Sequence, residues 1–262
     1  MNKVGVITGA SSGIGQALTI QLSGSFSTLY VCGRKLESLE KTMDLCVGKP
    51  AKIVPVVMDL NNKESIAKAA TGIIEKETEI HLLVNNAGQS QRSLVKDTSE
   101  EVEAMIMQIN YFGQVQLTKL LLPALQKGKN SRILITSSIV GKFGYPLRST
   151  YSASKHALHG FFESLRFEEK KNGIFVQFLV IGRVQTNVSV NALTAEGETY
   201  GKMDKGQAGG ISAEACARKI EAALQSNRKE VLIGGKELLM VKFKKYLPFL
   251  FYKIAEKESN HV

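Results

Sequence analysis

The stretch that decides the fold is Lys3–Gly15, which reads KVGVITGASSGIG. Its first half is mostly apolar, as is typical of a buried strand, and an amphipathic helical pattern follows Gly13. In such a strand–turn–helix unit, one glycine allows the turn, another lets a phosphate approach the backbone, and a third allows close packing. A plain turn is the alternative, but free N–H groups at a helix start favour a nucleotide site. That site would be formed by Gly9, Ser11, Ser12, Gly13, Ile14 and Gly15.

The rest of the chain repeats this alternation of strand and helix. Continuous apolar runs suit strands covered on both faces, and repeated βα units imply a parallel sheet. The predicted strands are Lys3–Thr8, Thr28–Cys32, Lys52–Val57, Ile80–Val84, Arg132–Thr136, Phe175–Val180 and Val231–Ile233. The predicted helices begin after Gly13 and cover Leu36–Cys46, Lys63–Lys76, Glu100–Leu121 with Pro123 near its end, and Tyr151–Lys171. We therefore predict an α/β fold with a doubly wound parallel sheet of the Rossmann type, about seven strands flanked by helices, and a single domain over residues 1–262.

The composition is ordinary for a globular protein, with 44% hydrophobic and 22% charged residues. Because the first strand begins near Lys3, we expect no signal peptide, and no apolar run reaches the roughly 18 residues of a spanning helix. Cys32, Cys46 and Cys216 are odd in number and lack metal-ligand spacing, which favours a reducing compartment over a disulfide framework. We therefore expect a cytoplasmic protein without a bound metal.

The net charge of +10 allows a nucleic acid, an anionic membrane surface or an anionic small ligand as partner. The sequence contains no recognisable nucleic-acid-binding motif and no module of interleaved aromatic and basic residues. We therefore expect no nucleic-acid partner, and the charge leaves the other two partners open.

Tyr151 and Lys155 are the candidates for acid–base chemistry. At this spacing both side chains lie on one face of a helix, with their Cβ atoms about 5–6 Å apart. An unperturbed phenol has a pKa of about 10, and a nearby ammonium favours the phenolate and so lowers that pKa. Such a pair can move a proton to or from a carbonyl oxygen. A surface helix with a chance pair is the alternative.

The end of the second predicted strand, Cys32-Gly33-Arg34-Lys35, indicates which cofactor is bound. An NAD site would place an acidic residue there to accept hydrogen bonds from the ribose. Arg34 instead suits a 2′-phosphate, and the nearby Glu37 lies within the next helix. We therefore favour NADP(H), with solvated charges at a helix start as the alternative.

Short motifs follow one another along the chain. They are Thr8–Gly15, Asp59-Leu60, Asn85-Asn86-Ala87-Gly88, Asn110, Ser137-Ser138, Tyr151 with Lys155, and Val184-Gln185-Thr186. In this order they resemble the short-chain dehydrogenase/reductase family over about Lys3–Asn187. The later part is similar to the hydroxysteroid dehydrogenase-like branch, which carries a C-terminal extension.

The resemblance implies roles for individual residues. Tyr151 would be the acid–base residue, and Lys155 would lower its pKa and hold the nicotinamide ribose. Ser138 would hydrogen-bond the substrate carbonyl oxygen, and Asn110 would support a proton-relay water. The cofactor would also contact Asp59, Leu60, Asn86, Ala87, Gly88, Val184 and Thr186. The resemblance further implies a homodimer or homotetramer.

These residues also have structural interpretations, since Asn110 could bond within its helix, Ser138 could end a strand and Asp59 could be a turn residue. A nucleotide-binding regulatory module with little turnover is the alternative function. We favour an NADP(H)-dependent oxidoreductase that interconverts a carbonyl and a secondary alcohol, because Ser138, Tyr151 and Lys155 are all present.

The turn before Val184 departs from the family pattern. Family members usually have Pro-Gly there, whereas this chain has Ile181-Gly182. Without the proline the turn loses a fixed φ, which puts the rigidity of the nicotinamide cradle in doubt.

Two segments lie outside the motifs. Asn187–Gly210 is a long polar, glycine-containing loop, which predicts a substrate lid; we call it the lid segment. Residues 236–258 form a predicted helical extension, apolar but rich in lysine and interrupted by Pro248; we call it the C-terminal segment. It could complete the core, but we favour covering a substrate pocket for an apolar carbonyl compound or contacting another subunit. Contact with a membrane surface is the less favoured option.

Overall fold

A seven-stranded parallel sheet forms the centre of the computed structural model, which describes residues 3–259. Its strands lie in the order β3-β2-β1-β4-β5-β6-β9, so the order reverses between β1 and β4. A separate pair, β7 with β8, is also parallel. The strands are β1 (Val4–Thr8), β2 (Thr28–Gly33), β3 (Lys52–Val57), β4 (Leu82–Asn85), β5 (Arg132–Ser138), β6 (Phe175–Ile181), β7 (Val184–Gln185), β8 (Ile211–Ser212) and β9 (Glu230–Ile233). The predicted α/β fold with a doubly wound parallel sheet is confirmed.

Helices cover both faces of the sheet. One core holds Leu117 and Phe162 against Val6, and the other holds Leu18 and Ile220 against Ile7. Successive residues of β1 therefore enter different cores, which explains why this strand is apolar throughout. The helices are α1 (Gly13–Leu22), α2 (Leu36–Asp44), α3 (Lys63–Ile74), α4 (Glu100–Met107), α5 (Gly113–Lys127), α6 (Ser149–Glu168), α7 (Lys205–Ala208), α8 (Ala213–Leu224), α9 (Leu239–Tyr246) and α10 (Pro248–Ser259).

The predicted long helix from Glu100 is longer and less regular than expected. A π-helical turn, Gln108–Phe112, joins α4 to α5, and α5 continues to Lys127 with Pro123 inside it. A proline within a helix costs about 3 kcal/mol. Here the helix continues because Leu125, the second residue after the proline, is fully buried in the core, and packing outweighs local preference.

Other boundaries differ by a few residues. The fourth strand is Leu82–Asn85 rather than Ile80–Val84, and α6 ends at Glu168 rather than about Lys171. After α6 the chain makes a tight 3-10 turn that closes at Gly173, whose φ of 75° is left-handed. Glycine adopts that conformation without steric cost. Because a left-handed residue cannot continue a right-handed helix, the helical segment ends here.

The lid segment is irregular but bonded to the body of the protein. The Arg92 amide donates to the Leu193 carbonyl over 2.7 Å, and the Leu193 amide donates to the Ser90 carbonyl over 2.9 Å. Within the lid, the Tyr200 amide donates to the Ala192 carbonyl over 2.8 Å. The loop that follows β4 therefore holds the lid segment along one side.

The C-terminal segment contains α9 and α10. Phe251 is buried against Val140 and Phe143, and its ring centroid lies 4.9 Å from that of Phe143. Tyr246 and Phe249 are 69% and 72% exposed. One face of the segment thus packs on the loop that follows β5 while another faces solvent. Between residues 3 and 259, no helix is long and apolar enough to cross a bilayer.

Candidate active site

Two connected depressions open at the carboxyl ends of the strands, where the strand order reverses. The smaller, which we call the glycine cleft, has a volume of about 250 Å³ and includes the turn after β1. The larger, the main cavity, has a volume of about 1170 Å³ and extends below the lid segment. Ile14, Asn86, Gly88 and Thr186 line both. In open α/β sheets this crevice is where ligands bind.

The turn after β1 is shaped for an anion. Gly9 and Gly13 have φ values of 66° and 55°, which side chains other than glycine rarely adopt. A Cβ atom at Gly15 would overlap the carbonyl oxygen of Gly9. Ser12 begins α1 without a side-chain cap, so the N–H groups of the first turn keep their hydrogen-bonding capacity for a ligand. Ser11, Ser12 and Ile14 also line the cleft.

Thr8 connects this turn to the loop after β4. Its hydroxyl accepts from the amides of Asn86 over 2.9 Å and Ala87 over 3.0 Å, and it donates to the Val84 carbonyl over 3.1 Å. The Asn86 side-chain amide donates to the Thr8 carbonyl over 3.0 Å. These bonds place Asn86, Ala87 and Gly88 along the cleft. A threonine at a strand end carries no sequence signal of this role.

The glycine cleft is also lined by Asp59, Leu60 and Arg34. Arg34 follows the end of β2 directly and is exposed. The predicted residues thus provide both free amides and a cation within one cleft. A dinucleotide with a pyrophosphate and a further phosphate fits this distribution of donors and charge.

Thr186 lines both the cleft and the main cavity, and Val184 lines the main cavity. Val184 is buried in β7, opposite Ile211 of β8, and the side-chain amide of Gln207 bonds to its carbonyl. A Cβ atom at Gly13 would approach the Thr186 Cγ2 atom to 3.1 Å. The β7–β8 pair was not predicted, because two-residue strands carry no periodicity.

The turn that lacks the usual proline is held by Glu237. Its carboxylate accepts from the amides of Arg183 over 2.7 Å and Gly235 over 2.9 Å. The Gly182 amide donates to the Ile233 carbonyl over 2.8 Å. Ile181 is the last residue of β6 and is 5% exposed. Hydrogen bonds to neighbouring elements thus constrain the turn in place of a proline ring.

Ser138, Tyr151 and Lys155 come together on the wall of the main cavity. Ser138 is the last residue of β5 rather than a residue beyond it. Tyr151 and Lys155 lie one turn apart on α6, as the spacing predicted, and a side-chain hydrogen bond joins Tyr151 to Ser138. The Lys155 Nζ atom donates to the Thr136 carbonyl over 2.8 Å and lies 5.8 Å from the centre of the Tyr151 ring.

The electrostatics of this group differ from the expectation. Burial raises the pKa of Tyr151, while the Arg148 charge and the Ser138 hydrogen bond act to lower it. Burial lowers the pKa of Lys155 to about 8. The prediction that the neighbouring ammonium lowers the tyrosine pKa is therefore not met in the protein alone, because loss of hydration outweighs the attraction of nearby charges.

Asn110 lies in the π-helical turn and is fully buried. Its side-chain oxygen accepts from the Gln89 amide over 2.7 Å, and its nitrogen donates to the Gln89 carbonyl over 2.9 Å and the Ser154 hydroxyl over 3.0 Å. Asn110 thus connects the loop after Gly88 to α6 beside Lys155. Its proposed support of a relay water stays a prediction.

Gln91 holds the start of α6 and was not anticipated. Its side-chain oxygen accepts from the amides of Thr150 over 2.9 Å and Tyr151 over 3.2 Å, so it replaces the cap that Arg148 does not provide. Its nitrogen donates to hydroxyls of Ser93, Thr98 and Ser149. Gln91 and Tyr151 are 60 residues apart, so no local pattern could have shown this contact.

His159 lies on α6, one turn after Lys155, and is 9% exposed. Its Nε2 atom lies 2.9 Å from the Ser137 hydroxyl, and its ring stacks on Phe178 with centroids 4.2 Å apart. Burial first, and then the charge of Lys142, lower its pKa to about 3. His159 therefore stays neutral and braces the strand residue that precedes Ser138.

Comparisons with known proteins agree with this architecture. Residues 3–197 match the family model described as short chain dehydrogenase. The chain is 38% identical over 273 residues to dehydrogenase/reductase SDR family member 7B from Bos taurus, covering 99% of this chain and 84% of the relative.

Solved structures with lower sequence identity share the fold. A short chain dehydrogenase/reductase from Burkholderia phymatum in complex with NAD is similar with a TM-score of 0.82, 23% identity and 95% of each chain covered. A short chain dehydrogenase from Burkholderia cenocepacia in complex with NADP is similar with a TM-score of 0.78, 24% identity and 97% of each chain covered. The chain belongs to the short-chain dehydrogenase/reductase family of oxidoreductases.

Proposed function

We propose that this protein is an NADP(H)-dependent oxidoreductase that interconverts a carbonyl group and a secondary alcohol. The observation that carries the proposal is the convergence of Ser138, Tyr151 and Lys155 on the main cavity, next to the glycine cleft. A module that only binds a nucleotide has no need of a phenol, a hydroxyl and a buried ammonium facing a second cavity. Family membership supports the oxidoreductase class.

The chemistry assigns one task to each side chain. A nicotinamide cofactor supplies or accepts the hydride when bound. In the reducing direction, the Ser138 hydroxyl donates a hydrogen bond to the carbonyl oxygen, which becomes alkoxide-like as the reaction proceeds. The Tyr151 hydroxyl donates its proton to that oxygen. Lys155 places a cation nearby that favours the resulting phenolate.

The choice of NADP(H) over NAD(H) rests on Arg34. Structural relatives bind one or the other, as their complexes with NAD and NADP illustrate. In this chain an exposed guanidinium follows the end of β2 and lines the glycine cleft. A charge-assisted hydrogen bond to a 2′-phosphate is stronger than one between neutral groups, which favours NADP(H).

The main cavity supports an apolar body for the substrate. Phe143 and Met240 line it, and Phe251 of α10 packs behind Phe143. We propose that the C-terminal segment forms part of the substrate site and that the lid segment covers it. A substrate held among these groups would present its carbonyl to Tyr151.

Purified protein with NADPH should be offered a panel of apolar ketones and aldehydes while the nicotinamide absorbance is followed. The expected result is cofactor oxidation that depends on the carbonyl compound and yields the matching alcohol. Ser138→Ala is the matched variant, since it removes one hydroxyl from the end of β5. Unchanged rates in that variant, or oxidation of NADPH without any alcohol product, would contradict the proposal.

A further inference from the structure

Two arginines on the wall of the main cavity are not explained by carbonyl reduction alone. Arg92 follows β4 along the loop that supports the lid segment, and Arg148 precedes α6, three residues before Tyr151. Both line the main cavity together with Asp204 of the lid segment. Their side chains are 25% and 15% exposed, and that of Asp204 is 17% exposed.

The single carboxylate in this group cannot balance both guanidinium groups. Asp204 Oδ2 lies 2.6 Å from Arg148 Nη2 and 3.2 Å from Arg92 Nη1, so both cations share one oxygen atom. One positive charge is left over at a partly buried site. Charges withdrawn from water are normally paired, so the excess favours a second anion.

The two guanidinium groups are held in place but keep donors to spare. Arg148 also donates to the Ser90 hydroxyl over 2.6 Å, and the Arg92 guanidinium lies 5.6 Å from the centre of the Tyr200 ring. Each arginine carries five N–H donors, and in the described residues the bonds to Ser90 and Asp204 use only some of them. Planar guanidinium groups with free donors suit the oxygens of a carboxylate or phosphate.

The cavity as a whole carries an excess of positive charge. Among the described residues, six cationic side chains and two carboxylates line it. One of those carboxylates, Glu237, is occupied with the backbone amides of Arg183 and Gly235. A cavity lined mostly by one sign of charge concentrates ligands of the opposite sign.

We infer that Arg92 and Arg148 form an anion-binding subsite within the substrate cavity, and that the natural substrate carries a carboxylate or phosphate group near its carbonyl. This inference rests on the proposed function, because it names the class of substrate for the same site. Arg148 lies three residues before Tyr151, and both line the main cavity, so an anion held there lies on the same cavity wall as the reacting carbonyl. The substrate is thus amphiphilic, with its apolar part against Phe143 and Met240.

Binding of matched ligands to the NADPH-loaded protein tests the subsite. Octanoate, octyl phosphate and octanol share one chain length and differ in the head group. We expect at least one of the two anions to bind about tenfold or more tightly than octanol. Tighter octanoate binding would assign a carboxylate, and tighter octyl phosphate binding a phosphate. Equal binding of all three ligands would overturn the inference.

Substitutions distinguish binding of the anion at Arg92 and Arg148 from attraction by the overall positive charge of the cavity. Arg148→Gln and Arg92→Gln should each reduce the preference for the anion by about tenfold. The matched control is Arg183→Gln, because Arg183 also lines the cavity but lies outside the pair. An equal loss of anion preference in Arg183→Gln would show that the anion responds to the overall positive charge of the cavity, and this would overturn the subsite. If Arg148→Gln fails to fold, Arg92→Gln alone decides.

Asp204→Asn distinguishes a ligand site from a latch that only fastens the lid segment. Without the Asp204 carboxylate, neither arginine is partly neutralised by it, so anion binding should strengthen. Weaker anion binding in a folded Asp204→Asn protein would show a structural latch instead.

Turnover of neutral 2-octanone by the wild type separates this inference from the proposed function. If 2-octanone is reduced but neither octanoate nor octyl phosphate binds more tightly than octanol, only the subsite fails. If neither 2-octanone nor a 2-oxo acid is reduced, the proposed function fails.

Discussion

The glycine cleft and the main cavity meet at Ile14, Asn86, Gly88 and Thr186 but are built in different ways. The cleft is formed largely by backbone: glycines with left-handed φ, uncapped amides of α1 and short side chains that bond to Thr8. The main cavity is formed by long side chains from separate segments, such as Arg92, Arg148 and Met240. The cleft therefore has a local sequence signature, whereas the cavity wall outside Ser138, Tyr151 and Lys155 has none.

This difference has a physical cause. Close backbone approach and left-handed φ restrict a position to glycine, whatever else the protein does. A cavity wall can be built from many combinations of side chains, provided they pack and their polar groups are satisfied. We therefore expect changes in the cleft to alter cofactor binding and changes in the cavity to alter the choice of substrate.

Tyr151→Phe should have the largest effect. The substitution removes only the hydroxyl that donates the proton, so turnover should fall by about a hundred- to ten-thousand-fold. Because the glycine cleft is untouched, NADPH affinity should stay within a few-fold of wild type, as measured by titration of the bound cofactor. Substantial remaining turnover would remove Tyr151 from the acid role.

Arg34→Ala sharpens the comparison on the side of the cleft. Loss of a charge-assisted hydrogen bond to the 2′-phosphate should lower kcat/KM with NADPH by about ten- to a hundredfold, with little change for NADH. Lys35→Ala is the matched control, because Lys35 is an exposed neighbour outside the cleft lining. Equal use of the two cofactors by the wild type would contradict the prediction.

Phe251→Ala tests whether the wall of the main cavity determines the turnover of bulky substrates. The ring packs on Phe143 and is 3% exposed, so its loss should loosen the wall and lower kcat/KM for bulky apolar ketones by roughly three- to tenfold. NADPH affinity should be unchanged. Phe249→Ala, in the same helix but 72% exposed, is the control. Equal losses in the two variants would argue for a subunit contact, which sedimentation would detect.

His159→Gln should have the smallest effect, on stability at low pH. Folding lowers the pKa of His159 from 6.5 to about 3, so the unfolded chain binds the extra proton in that interval. Stability of the wild type therefore falls as pH falls from 6.5 toward 3, by up to about 1.4 kcal/mol per pH unit. The variant should lack this component, and His156→Gln, exposed on the same helix, should retain it. Identical acid profiles for His159→Gln and wild type would contradict the assignment.

The fold could be predicted from sequence because each buried strand reads as one apolar run and each turn carries glycine or polar residues. The prediction from sequence was wrong where tertiary packing overrides a local rule, as at Pro123, which lies inside α5. The cleft and the Ser138, Tyr151 and Lys155 group were predictable because their motifs are local. Gln91 and the Arg92–Asp204–Arg148 contacts were not, because they join segments distant in sequence.

The central claim, that hydride passes between the glycine cleft and the main cavity beside Tyr151, is tested most directly with isotopically labelled cofactor. Wild-type protein should be given NADPH that carries deuterium at the transferable position, together with an apolar ketone. The account predicts that deuterium appears at the carbinol carbon of the alcohol, in equal amount to the NADPH consumed. An alcohol product without deuterium, or consumption of NADPH without alcohol, would contradict it.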